Sequence, residues 1–161
     1  MPSGKVYKYG DNVDTDVIIP ARYLNAPSPD ELAKHCMEDI DATFAQKVQP
    51  GDIIVGGANF GCGSSREQAP EIIKALGVQC VIAKSFARIF FRNSINNGLL
   101  LIEQPDLHDN VKEGDEVTVV MNEHVDHNGK QYPIASLPEN LMDIIQAGGL
   151  VKAMRKLNGL D

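Results

Sequence analysis

Gly51-Asp52-Ile53-Ile54-Val55-Gly56-Gly57-Ala58-Asn59-Phe60-Gly61-Cys62-Gly63-Ser64-Ser65-Arg66-Glu67 holds the start of the fold. Residues 52–55 read as a buried strand, because a short apolar run bounded by turn residues has no polar face to present to water. Residues 56–65 read as a polar, glycine-rich loop, and Pro70 to Leu76 as a helix closed by Gly77. The same order then repeats. Val78 to Ala83 is a second apolar strand, and Ser85 to Asn96 a helix with Phe86, Ile89, Phe90 and Ile95 for its apolar face. Asn97-Gly98 turns the chain into Leu99 to Ile102. Strands alternating with helices imply an α/β fold with parallel strand pairs.

Outward from this centre the signals thin. Lys5 to Tyr9 alternates like a short strand, Gly10-Asp11-Asn12 supplies a turn, and Asp14-Thr15-Asp16 leads into Val17-Ile18-Ile19, stopped by Pro20. Asp30 is the expected N-cap of a helix from Glu31 to about Asp39. Asp115 to Val120 alternates and is expected to face Tyr132 to Ile134 across a connection containing Asn128-Gly129. Glu139 to Ala147 and Val151 to Leu157 read as closing helices. No repeat or long linker interrupts the chain, which reads as one domain over residues 1–161.

Composition removes several classes. Fifteen Lys and Arg against 22 Asp and Glu leave a net charge of −7, which speaks against a nucleic-acid partner, whose phosphates demand clustered cations. The N-terminal MPSGKVYKYG lacks the apolar centre of a signal peptide, and no run approaches the roughly 18 apolar residues of a membrane span, so a cytoplasmic protein is expected. Cys36, Cys62 and Cys80 form no C-x-x-C pair, and the four histidines no paired-ligand pattern; no metal site is expected from this chain.

Chemistry concentrates at residues 61–67. Ser64 and Glu67 have the S-x-x-E spacing of a capping box, a purely structural use. Pro70 argues against it, since a proline that far into a helix removes a hydrogen bond. A helix starting only near Pro70 would leave Ser64 to Gln68 as a turn whose N–H groups, beside Arg66, suit a carboxylate or phosphate. Residues 61–100 hold Arg66, Lys74, Lys84, Arg88 and Arg92 against Glu67 and Glu71, a local charge of +3. Lys74 reads as a solvated helix charge. Neither a Walker A loop nor G-x-G-x-x-G is present. Cys62 has no histidine near it in sequence and reads as a tolerated small residue. Asp11, Asp14 and Asp16 lack the glycine and later glutamate of a calcium loop, and Asp11 reads as a turn residue.

Asp11 to Pro20, then Gly61-Cys62-Gly63-Ser64-Ser65-Arg66-Glu67, then Lys84-Ser85-Phe86-Ala87-Arg88-Ile89-Phe90, with Asn96-Asn97-Gly98-Leu99-Leu100 beyond, resemble the mobile swivel domain of the aconitase superfamily. More closely, the chain resembles the isopropylmalate isomerases, in which that domain is a separate small subunit. The resemblance implies a mixed α/β domain with a barrel-like sheet and flanking helices. It implies a hydro-lyase of leucine biosynthesis that interconverts 2- and 3-isopropylmalate by dehydration and rehydration, active only with a large subunit as heterodimer or heterotetramer. The [4Fe-4S] cluster is expected on that large subunit, with no cofactor bound by this chain. By position, Ser64 is the catalytic base, Ser65 and Arg66 hold the substrate carboxylate, and Thr15 and Asp16 line the site. The loop Tyr23, Leu24, Asn25, Ala26, Pro27 and Ser28 is expected to set the choice of 2-hydroxy diacid. Tricarboxylate-handling relatives carry an arginine there, whereas residues 23–33 contain no Lys or Arg. The rival readings are a homoaconitate or methylated-malate hydro-lyase and, from another class, a non-catalytic carboxylate-binding module.

Overall fold

The computed structural model describes residues 3–25, 28–63, 66–157 and 159. Its centre is one mixed sheet in the order β4-β3-β2-β1-β5-β6-β7. The strands are β1 (Ser3–Lys8), β2 (Ile53–Gly56), β3 (Cys80–Ala83), β4 (Leu100–Glu103), β5 (Glu116–Val120), β6 (His124–His127) and β7 (Lys130–Pro133). The pairs from β1 to β4 are parallel, and those from β1 through β5 and β6 to β7 antiparallel. β2 and β3 are buried at every residue, the reason their sequences run continuously apolar.

The period-2 alternation of these strands splits their side chains between two cores. Ile54, Val81 and Leu101 point to the helix side, with Ile72, Ile73, Phe90 and Phe44. Ile53, Val55, Ile82, Leu100 and Ile102 point the other way and share a core with Val117, Val119, Val125 and Tyr132. Strands from opposite ends of the sheet therefore meet, and the sheet is curled into a half-barrel, as expected. Gln104 Nε2 closes the seam by donating to the Pro133 carbonyl at 3.0 Å.

The helices are α1 (Thr15–Ile18), α2 (Pro29–Ala33), α3 (Phe44–Lys47), α4 (Gln68–Ala75), α5 (Arg88–Asn96), α6 (Leu107–Asn110), α7 (Glu139–Ala147) and α8 (Leu150–Leu157). α4 and α5 are the crossovers of the parallel strands, and α7 and α8 match their expected spans closely.

Four local expectations are corrected. β5 pairs with β6, not with residues 132–134, and Asn128-Gly129 joins β6 to β7 with both φ positive, 51° and 82°. β6 was hidden because His-Val-Asp-His offers one apolar residue; His127 is buried instead through its Nε2 contact with Asp115 Oδ2 at 2.9 Å. The cap of α2 is Ser28, whose Oγ accepts from the Glu31 N–H at 3.3 Å, and this helix stops at Ala33, the chain reaching Asp39 in turns. α4 begins at Gln68 with Glu67 at its N-cap, so Pro70 falls in the first turn, where the N–H it lacks has no helical partner anyway. The capping-box register, which needs Glu67 three positions inside the helix, is not adopted. Finally, α5 starts at Arg88 and buries Phe90, Ser94 and Ile95, while Ile89 is half exposed.

Candidate functional site

The parallel pairing of β1 and β2 does not end with the strands. Tyr9 donates to Val55, Gly57 to Gly10, Asn12 to Ala58, Gly61 to Val13 and Thr15 to Cys62, all between backbone atoms at 2.8–2.9 Å. This run lies beyond the carboxyl ends of parallel strands, where open α/β sheets place their ligands. It sets the Asp14-Thr15-Asp16 segment beside the glycine-rich loop.

Two glycines permit the approach. At Gly63, φ +93°, a Cβ would stand 2.5 Å from the Asp14 carboxylate oxygens, and at Gly61, φ +83°, it would enter the Phe90 ring. A second set of bonds fixes the loop from the other side: Phe60 donates to the Ser85 carbonyl and Ala87 to that of Phe60, each at 3.0 Å, while Asn59 N–H reaches Ser85 Oγ at 2.8 Å.

Asp14 caps α1 by accepting from the Asp16 N–H at 2.7 Å. Asp16, the second residue of α1, meets Arg66 Nη2 at 2.9 Å. Arg66 also donates through Nη1 to the Ile19 carbonyl at 3.3 Å, so its guanidinium is held from two sides and largely buried. Thr15, Gly61, Gly63, Arg66, Arg88 and Asn93 are among the residues around a cavity of about 210 Å³. A cation held with one face toward a cavity of this size, beside a hydroxyl, is suited to a small carboxylate.

Of the expected site residues, Thr15, Asp16 and Arg66 are brought together. Ser64, Ser65, Ala26 and Pro27 lie outside the described residues. Tyr23 and Leu24 are half-buried against the helix-side core, and Ser28 is spent on capping α2. Sequence reasoning missed Ile89 and Asn93, which line the cavity from one face of α5; their i, i+4 spacing directly after Arg88 was the available signal.

The local excess of positive charge is smaller than its count. Lys74 is no solvated charge: its Nζ donates to the Asn97 and Gly148 carbonyls at 2.8 and 2.6 Å, and burial, then Lys152, pull its pKa down. Lys84 is paired with Asp109 at 2.9 Å. Arg66 and Arg88 remain at the cavity. A larger cleft of about 360 Å³ lies at the barrel seam, lined by apolar residues such as Phe91, Ile102 and Ile134 with Arg88 and Glu103; neither Thr15 nor Arg66 reaches it.

The three carboxylates of residues 11–16 are committed separately, Asp11 to the Ala58 N–H at 2.7 Å, Asp14 to its cap and Asp16 to Arg66. Among the described residues no group of three His, Cys, Asp or Glu could hold a metal. The thiols do not fit an iron-sulfur cluster, which takes thiolates: Cys36 and Cys80 are buried in opposite cores. Burial pushes both up, Cys80 to about 12. The Cys62 thiol is raised by burial and then by Asp14. Among the described residues no helix is long and apolar enough to cross a membrane.

Residues 9–107 match the family of the aconitase C-terminal domain. The chain is 65% identical over 159 residues to the 3-isopropylmalate dehydratase small subunit of Lachnospira eligens, covering 99% of this chain and 97% of that one. It is 58% identical over 156 residues to the protein of the same name from Heliobacterium modesticaldum, covering 95% and 94%. The crystal structure of 3-isopropylmalate dehydratase (leuD) from Methanocaldococcus jannaschii superposes with a TM-score of 0.92 at 46% identity, over 98% of this chain and 95% of that one.

Proposed function

From the premise that the chain belongs to the aconitase C-terminal domain family and, within it, to the 3-isopropylmalate dehydratase small subunits, we propose how its residues serve that hydro-lyase. The chain works as a single cytoplasmic domain that supplies one wall of the active site. A large subunit supplies the other wall and the [4Fe-4S] cluster, which the buried Cys36 and Cys80 thiols, in opposite cores, do not fit. The substrate is 2- or 3-isopropylmalate, interconverted by loss and return of water.

The observation that carries the reading is the Asp16–Arg66 pair at 2.9 Å, which joins the two most specific sequence motifs across one cavity. Arg66, with its planar fork already oriented by Asp16 and the Ile19 carbonyl, presents the substrate carboxylate with a fixed cation. Ser65 and Thr15 add hydroxyl contacts. Ser64 takes the proton from the substrate carbon and returns it. A serine hydroxyl is far too weak a base unaided, so the neighbouring guanidinium and backbone N–H groups must stabilise its alkoxide.

The loop from Tyr23 to Ser28 selects the substituent. Residues 23–33 offer no cation, and Arg22 just before them is engaged with Asp39 at 2.6 Å. Burying an unpaired carboxylate there costs several kcal/mol, so an apolar isopropyl group is favoured over a third carboxylate. Reconstituted with its large subunit, the Ser64→Ala variant is expected to assemble normally and to lose turnover. Near-normal activity would remove Ser64 from the mechanism. A higher kcat/KM for homoaconitate or citrate than for 3-isopropylmalate would overturn the substrate.

A further inference from the structure

The residues that follow α2 make a bracket whose two sides do different things. Cys36 and Met37 are buried in the helix-side core, and the Met37 N–H, at a residue with φ +62°, donates to the Ile18 carbonyl at 3.0 Å. Ile18 ends α1, the helix that carries Thr15 and Asp16. The inner side of the bracket is thus tied to the active-site helix.

The outer side grips the loop. The His35 imidazole lies flat on the Tyr23 ring, with centroids 3.6 Å apart and planes 4° apart. The Arg22 guanidinium is also held against the Tyr23 ring, 4.8 Å from its centroid. Arg22 in turn makes a two-bond fork to Asp39, Nη2 to Oδ1 at 2.6 Å and Nη1 to Oδ2 at 3.3 Å. Glu38 Oε2 lies 3.3 Å from His35 Nδ1 and 3.7 Å from Arg22 Nη2, linking the two partners of Tyr23. The first side chain of the loop is therefore packed directly by His35 of the bracket, and through Arg22 by Asp39 and Glu38.

We propose that His35 and Asp39 are positioning residues for substrate selection: they hold Tyr23, at the entry to the loop, at one distance from the helix carrying Thr15 and Asp16. This rests on the reading that the loop selects the substituent. An apolar side chain chooses between substituents by fit, and fit requires that its wall not move. The opposite end of the loop is anchored as well, through the Ser28 cap of α2.

The test uses the enzyme reconstituted with its large subunit and compares kcat/KM for 3-isopropylmalate with that for 3-methylmalate, whose smaller substituent depends less on the wall. His35→Ala is expected to lower that ratio about ten-fold, the effect of one poorly fitted methylene. The loss should fall on KM for 3-isopropylmalate, with kcat kept within about two-fold. His35→Phe, which can still stack, should restore the ratio, and Asp39→Asn should lower it. Where His35→Ala fails to assemble, Asp39→Asn and His35→Phe are read in its place. Asn25→Arg, inside the loop, is the control. If Asn25→Arg changes the ratio and the bracket variants do not, the bracket proposal is overturned and the loop reading stands. If Asn25→Arg changes nothing, the loop reading falls and this proposal with it. An equal loss of kcat on both substrates, accompanied by a lower Tm, would reduce the bracket to a structural support and overturn the proposal.

Discussion

Cys62 sits in the middle of the motif that defines the site, and thiols attract attention as nucleophiles. Reactivity depends on the thiolate, and here burial and the Asp14 carboxylate both disfavour it. Cys62→Ala is therefore expected to keep kcat/KM within about two-fold, since no step needs the sulfur, and the native protein should alkylate slowly at pH 7. A fast-reacting thiol, or an inactive alanine variant, would contradict this. Residue chemistry of this kind was partly legible in the sequence. Arg66 stood out as a cation beside a turn of free N–H groups, whereas Thr15 and Asp16 were placed at the site only by the family resemblance; the structure brings the three together. Lys74 did not stand out. Its exposed-looking place on α4 gave no sign that two carbonyls from distant turns converge on its ammonium, because that contact depends on how α7 returns across α5.

Elements were legible where periodicity was strong. The continuous apolar runs of β2, β3 and β4 and the 3.6-residue pattern of α7 and α8 left little choice. β6 was opaque, because its buried polar residue is satisfied by Asp115, a partner that no local pattern reveals. The geometry of the site loop belongs to this scale too. Two turn-bearing segments run side by side past the ends of their strands, and glycines stand where their atoms nearly touch. Gly61→Ala meets both an unfavourable φ of +83° and the Phe90 ring. It should cost at least about 2 kcal/mol, seen as a lower urea midpoint, together with loss of activity. Gly129, at φ +82°, has nothing within 4 Å of its missing Cβ. Gly129→Ala should carry only the backbone penalty of about 1–2 kcal/mol and leave activity unchanged. Equal effects of the two changes on activity would show that close packing of the site loop is not what its glycine serves.

At the scale of the molecule, the half-barrel is closed by interior apolar surface, while three of the joints between its outer segments are made by single carboxylates. Asp39 holds Arg22 beside the loop bracket, Asp109 holds Lys84 between α6 and the end of β3, and Asp115 accepts from the Lys112 N–H and meets His127 at the far end of β6. The carboxyl pKa of each is lowered, first by the Arg22 hydrogen bond for Asp39, by the Lys84 bond for Asp109 and by the Lys112 N–H for Asp115. A carboxylate whose folded pKa lies below its unfolded value of about 3.9 binds fewer protons when folded, so its stabilisation is complete above that value. It fades as pH falls through the lower, folded value. Acid should therefore loosen the three joints together and leave the two apolar cores to unfold last. These carboxylates are exposed or partly exposed to solvent, so urea midpoints are expected to fall only modestly below about pH 4 and to be nearly flat from pH 5 to 7 in so far as these groups govern them. Asp115→Asn removes one titrating group, so its midpoint should already be lower at pH 6 and should fall less between pH 5 and 3 than that of the native chain. An Asp115→Asn profile parallel to the native one would mean that the Lys112 and His127 contacts do not bias the ionised carboxyl, and that acid sensitivity arises at the other two joints.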